Sequence, residues 1–141
     1  MGREPTVKYM ILSYASQRDY DAMSGQPGET AWTGADFAAM HQFMTKFNQE
    51  LEAAGELVET RALSAPVHTR RVGGAPAVVT DGPYAETQEV LAGYWIVECD
   101  SFDRATQIAL RLGECPGPEA LVGRQHADVR PIMESAEEIG L

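Results

Sequence analysis

Apolar positions along this chain recur at two periods. Residues 7–14 form an apolar run that reads as a buried first strand. From Thr33 the spacing changes to that of a helix, with Phe37, Met40, Phe43, Met44, Phe47, Leu51 and Ala54 on one face. Thr33 and Asp36 resemble a capping box at its start, and Gly55 stops it. Residues 57–63, 67–72 and 77–80 read as strands, with Glu59 and Arg61 pointing to one side. Residues 86–91 suggest a helical turn, and 92–99 form the most apolar strand. Asp100 or Ser101 caps a second helix with Phe102, Ala105, Ile108, Ala109 and Leu112 on its inner face. In the last strand, 125–133, Ala127, Val129 and Pro131 alternate with His126, Asp128 and Arg130. Residues 16–33 read as loop with one short helical turn near Tyr20, and 113–123 as a Gly/Pro-rich loop.

This order predicts an α+β fold of the ferredoxin-like, split βαβ type, an antiparallel sheet with two main helices on one face. The length fits one domain over residues 1–141, with flexible ends at 1–6 and 135–141. Two helices leave the second sheet face uncovered. The simplest cover is a second copy, so a homodimer packed sheet to sheet is expected.

Composition removes several function classes. With 21 acidic and 11 basic residues the net charge is -10, which opposes binding to nucleic acid phosphates. Arg70 and Arg71 form a local basic spot that reads as a solvated strand edge. No apolar run reaches the roughly 18 residues of a membrane span, and the N-terminal residues lack the stretch of a signal peptide, so a cytoplasmic location without membrane contact is expected. Cys99 falls in a core strand and Cys115 in a loop. Their separation supports neither a disulfide nor a zinc site, and no histidine spacing supports a metal. No metal and no organic cofactor is expected.

The candidate chemistry gathers at Asp81-Gly82-Pro83, a strong turn signal at the end of a strand. Asp81 suits a general acid-base group, or alternatively a cap for its own turn. Glu86 suits an ion pair with Arg130 or a cap after the turn. Arg130 can fork onto Asp81, Glu86 or an anionic ligand. Tyr84 follows the turn, and Tyr9, Tyr14, Tyr94 and Trp95 alternate on central strands as core and dimer-interface residues first and pocket walls second. Of the histidines, His41 on the first long helix borders a cleft. His68 and His126 lie on strands that face one side. The functional expectation is a small-molecule binder or cofactor-independent enzyme for an anionic or aromatic-derived substrate. Asp81 and His41 would be catalytic, and Arg130, Glu86, Tyr84 and Tyr9 would bind the substrate. The alternative is a non-catalytic accessory or regulatory protein acting through protein contacts.

Several segments together resemble the YCII-related family in its DGPF-motif branch. They are residues 8–12, 47–55, 80–89, 93–95 and 129–133. Tyr84 stands where the motif has Phe, and Gln88 where Lys is frequent. The resemblance implies a dimeric α+β barrel of ferredoxin-like subunits with a cleft beside the sheet. Smaller members carry a His-Asp pair, which would fall near Met44 and Ala53. Neither residue type is present there, and His41 lies one turn earlier. Some members are similar to dehalogenase-type or lactone-handling enzymes. Others sit beside sigma factors, which is the source of the possible link to a sigma factor here.

Overall fold

Alternation decides which side of the first strand is buried. In a computed structural model, which describes residues 6–25, 32–118 and 125–139, strand β1 (Val7–Ala15) buries Tyr9 and Ile11 and turns Lys8, Met10, Leu12 and Tyr14 to the other face. Its neighbour β5 (Val90–Cys99) buries Gly93, Val97 and Cys99 on the same side as Tyr9. With β2 (Leu57–Ala62) and β6 (Ala127–Pro131) they form a four-stranded sheet in the order β2-β5-β1-β6, every pair antiparallel. This is the expected ferredoxin-like order.

Two helices cover one face. Helix α2 (Gly34–Ala53) sets Phe47 and Leu51 against the sheet, and α3 (Phe102–Leu112) sets Ala105, Ile108 and Leu112 there. Phe43, Met44, Trp95, Ala127 and Val129 pack around that centre. Thr33 and Asp36 form the capping box read from the sequence, and Ser101 takes the α3 cap. Gly55, just past α2, has φ +72°, a conformation that favours glycine. The Trp95 indole satisfies its polar atom by donating to Asn48 Oδ1 at 2.9 Å.

Three local expectations are corrected. Residues 17–23 form a full short helix, α1 (Gln17–Met23), because Ser16 and Asp19 close a second capping box. Residues 67–72 are not one strand: Pro66 starts a 3-10 turn (Pro66–His68), and only then does β3 (Arg70–Gly73) begin. His68 therefore lies off the sheet, and the expected shared side with His126 fails. Residues 86–91 hold a hydrogen-bonded turn, Gln88 N–H to the Ala85 carbonyl at 3.0 Å, and then the start of β5, with no helix. Strand β4 (Val78–Asp81) pairs only with β3, in a separate two-stranded ribbon.

The breakers Pro27 and Gly28, residues 119–123 of the Gly/Pro-rich loop, and residues 1–5 and 140–141 of the expected flexible ends lie outside the described residues. Between them, Ala136–Ile139 forms a 3-10 turn.

Candidate functional site

The register of the β3–β4 ribbon places Arg70 opposite Asp81, with the Arg70 Nε 3.4 Å from the carboxylate. The turn beyond Asp81 is built as its sequence suggests. Gly82 takes φ +51°, and its N–H donates to the Thr69 carbonyl at 2.8 Å. A side chain there would be strained and would meet the Val67 carbonyl. Helix α1 braces the opposite wall. Gln17 accepts from the Val67 N–H at 2.8 Å, Tyr20 donates to the Leu63 carbonyl at 2.8 Å, and the Arg18 N–H reaches the Glu86 carbonyl at 3.1 Å. Val67, His68, Thr69, Arg70 and Asp81 thus line an open groove of about 540 Å³. Tyr84 is half-buried beneath the Arg71 guanidinium, 5.2 Å from its ring centre.

The other residues named from the sequence lie elsewhere. Asp81, Glu86 and Arg130 do not make the expected contact: Asp81 pairs with Arg70, and Arg130 makes no ion pair among the described residues. The reason is topological. Arg130 is on edge strand β6, opposite Met10, whereas Asp81 belongs to the separate ribbon. Glu86 is exposed and engages through its backbone. Tyr9 is 5% exposed, with an edge contact to Phe102, so it is a core residue rather than a pocket wall. His41 is exposed on α2.

The sheet face opposite the helices carries a second arrangement. Two cross-strand rows follow from the register, Glu59–Ile96–Met10–Arg130 and Arg61–Tyr94–Leu12–Asp128. Each sets two apolar or aromatic residues between opposite charges. Tyr94 donates to Glu59 at 2.5 Å, and Tyr14 donates to Asp128 at 2.7 Å while stacking on His126. Each phenol is held above the ordinary tyrosine range, first because its O–H donates to the carboxylate, a hydrogen bond that ionisation would lose.

A third feature is a cavity of about 430 Å³ beside Cys99, Glu98, Asp100, Glu56 and Arg104. Its two strongest polar groups are already joined by hydrogen bonds of 2.8 and 2.7 Å between Arg104 and Glu56. Burial pushes the Cys99 and Cys115 thiols up, away from the reactive thiolate. Among the described residues no three His, Cys, Asp or Glu side chains are grouped to hold a metal ion.

A family model for the YCII-related domain matches residues 7–131. The chain belongs to the YCII-related family. A protein of Rhizobium meliloti (strain 1021), itself called uncharacterized, is similar at 30% identity over 101 residues, covering 72% of this chain and 76% of its own. In this YCII-related chain no helix of the described residues is long and apolar enough to cross a membrane.

Sequence reasoning found the Asp-Gly-Pro turn but missed Arg70 as its partner. The signal was present: a ribbon closed around Gly73-Gly74 sets Arg70 opposite Asp81 once the turn is counted as four residues. It also missed the alternating charges of the open sheet face, although Glu59 and Arg61 share a side as expected.

Proposed function

We propose that this YCII-related protein binds a small anionic molecule in the groove beneath the Asp-Gly-Pro turn, as one half of a homodimer closed through its open sheet face. The observation that carries the ligand reading is the meeting of Arg70, Asp81 and His68 around one hollow. A guanidinium in that position holds a carboxylate or phosphate by two parallel hydrogen bonds. Asp81 and His68 stand beside it as proton acceptor and donor. On the same face of the ribbon, two residues along each strand, Val72 and Val79 pair as an apolar rest for the body of an aromatic or aliphatic acid.

Melting curves with aromatic acids, lactones and small dicarboxylates test the groove. A ligand at a hundred times its Kd stabilises the folded state by about 2.7 kcal/mol. Wild type is expected to gain most of this, and Arg70→Met to lose it. Asp81→Asn keeps binding, because it removes a negative charge that competes for Arg70, and loses any proton-transfer activity. Equal shifts in wild type and Arg70→Met refute the groove.

The dimer reading rests on the uncovered face of Met10, Leu12, Tyr94 and Ile96. Solution mass at micromolar concentration should give twice the chain mass, and a clean monomer rules it out.

One observation favours a second reading. Val72 and Val79 are 68% and 61% exposed on one face of the ribbon, a surface suited to another protein. An accessory role, such as contact with a sigma factor, then predicts no anion-induced shift, together with a captured partner that is lost on Val72→Lys and Val79→Lys.

A further inference from the structure

The groove beneath the Asp-Gly-Pro turn presents a cation and an anion side by side. Of the residues that line it, Arg70 is the one base and Asp81 the one acid. Their closest approach is 3.4 Å, from Arg70 Nε to Asp81 Oδ1, and their side chains are 78% and 82% exposed. A charge-assisted hydrogen bond is shorter, about 2.7–2.9 Å. Arg104 in the same chain shows the contrast, its fork closed on Glu56 by two bonds of 2.8 and 2.7 Å. The Arg70 fork is therefore not saturated by its neighbour, and Asp81 keeps acceptor capacity as well. Arg71 adds no second positive charge to this side of the ribbon. It alternates to the other face, opposite Thr80, and lies over the Tyr84 ring. A ligand that carries only negative charge thus gains at Arg70 and loses at Asp81. It is also repelled by a chain of net charge -10.

We infer that the anionic group bound in this groove is one end of a zwitterion, and that the ligand class is an α-amino acid with a large apolar side chain. This rests on the groove reading above and names the substrate class for it. An α-amino acid bears its carboxylate and its ammonium on one carbon. The carboxylate takes the Arg70 fork by two parallel N–H bonds, and the ammonium donates to Asp81. The four groups then form a ring of alternating sign, in which each charge has two opposite neighbours. The ligand as a whole is neutral, so the negative chain does not hold it off. Its side chain leaves the same carbon and lies along the ribbon. Val72 and Val79 face each other on this same face, two residues farther on, which is about 7 Å along the strands. An aromatic or branched side chain reaches that far, and the methyl group of alanine does not. The two valines are 68% and 61% exposed, so there is apolar surface for the ligand to cover. The frame is set before the ligand arrives, because the Gly82 N–H bond to the Thr69 carbonyl, 2.8 Å, ties the two strand ends together.

Four probes separate the groups: phenylalanine, phenylpropionate, phenylethylamine and alanine. The first three share one ring and differ only in the charges they carry. Dissociation constants come from chemical-shift titration of the Val72 and Val79 methyls in wild type, Asp81→Asn and Arg70→Met, with melting curves as a check on folding. Wild type should bind phenylalanine about fivefold tighter than phenylpropionate, the size of a well-placed but exposed ion pair. Asp81→Asn should erase that advantage and keep the plain acid. Arg70→Met should lose both. Phenylethylamine should bind more weakly than phenylalanine, since Arg70 repels it, and alanine more weakly because it does not reach the valines. Valine signals that no probe moves, or that move equally in wild type and Arg70→Met, overturn the groove itself. Phenylpropionate bound as tightly as phenylalanine overturns the zwitterion alone, and so does a preference for phenylalanine that survives Asp81→Asn. Alanine bound as tightly as phenylalanine overturns the apolar side chain as part of the class.

Discussion

Replacing Phe47 by alanine is expected to destabilise the protein by about 3–5 kcal/mol, the range for removing a buried aromatic ring and leaving its cavity. Phe47 is 2% exposed at the centre of α2's buried face. Its ring lies 6.0 Å from that of Phe43, stacked, and 5.9 Å from that of Trp95, edge to face. Trp95 in turn is tied to α2 by its bond to Asn48. Loss of the ring therefore loosens the seat of α2 on β5 as well as emptying a volume. Small domains are stable by only about 5–15 kcal/mol, so this one change removes a large share. Denaturant unfolding measures the loss, and the near-ultraviolet signal of Trp95 should weaken with it. Phe47→Leu should cost distinctly less, since much of the volume is kept. An alanine variant within 1 kcal/mol of wild type removes Phe47 from the role of keystone.

Phe47 also shows what was legible in the sequence. Its place on a helical stripe was plain, because a 3.6-residue period repeated over twenty residues has few other meanings. The same holds for the apolar runs that became β1 and β5, and for the Thr33–Asp36 cap. Short elements were less legible. Ser16 and Asp19 carry the same capping signature as Thr33 and Asp36, but seven residues give too little periodicity to stand out. The turn that Pro66 starts displaced β3 by three residues and took His68 off the sheet. The site was legible in half. The Asp-Gly-Pro turn names itself through backbone chemistry that is local in sequence. Its partner does not, since whether Asp81 meets Arg70 or Arg130 depends on which strands share a sheet. Likewise the charge rows join residues from four strands, and only register aligns them.

The second large effect is expected at Arg104. Its guanidinium on α3 donates two hydrogen bonds, of 2.8 and 2.7 Å, to the carboxylate of Glu56 at the start of the β2 segment. Glu56 is the more buried partner, its side chain 14% exposed against 40% for Arg104. Its backbone carbonyl also accepts from the Glu98 N–H at 2.8 Å, so the pair joins α3, the α2–β2 connection and β5 at one point. The hydrogen bond to Glu56 raises the guanidinium further above its ordinary range, so Arg104 stays charged at any workable pH. Removing one partner of a fully buried pair costs about 3–5 kcal/mol, chiefly because the other is left charged and uncompensated. Water reaches Arg104, so Arg104→Met should cost less, about 2–3 kcal/mol. The asymmetry gives a sharper test than the size. Arg104→Met strands a carboxylate that is 14% exposed, whereas Glu56→Gln leaves behind a guanidinium that water can reach, so the arginine change should be the more damaging of the two. Combining them should cost less than their sum, since the amide in the double variant no longer carries the charge that made Arg104→Met costly. Unfolding curves of the four proteins supply the cycle. Strict additivity, or an Arg104→Met loss under about 0.5 kcal/mol, would show that this contact behaves as an ordinary surface ion pair.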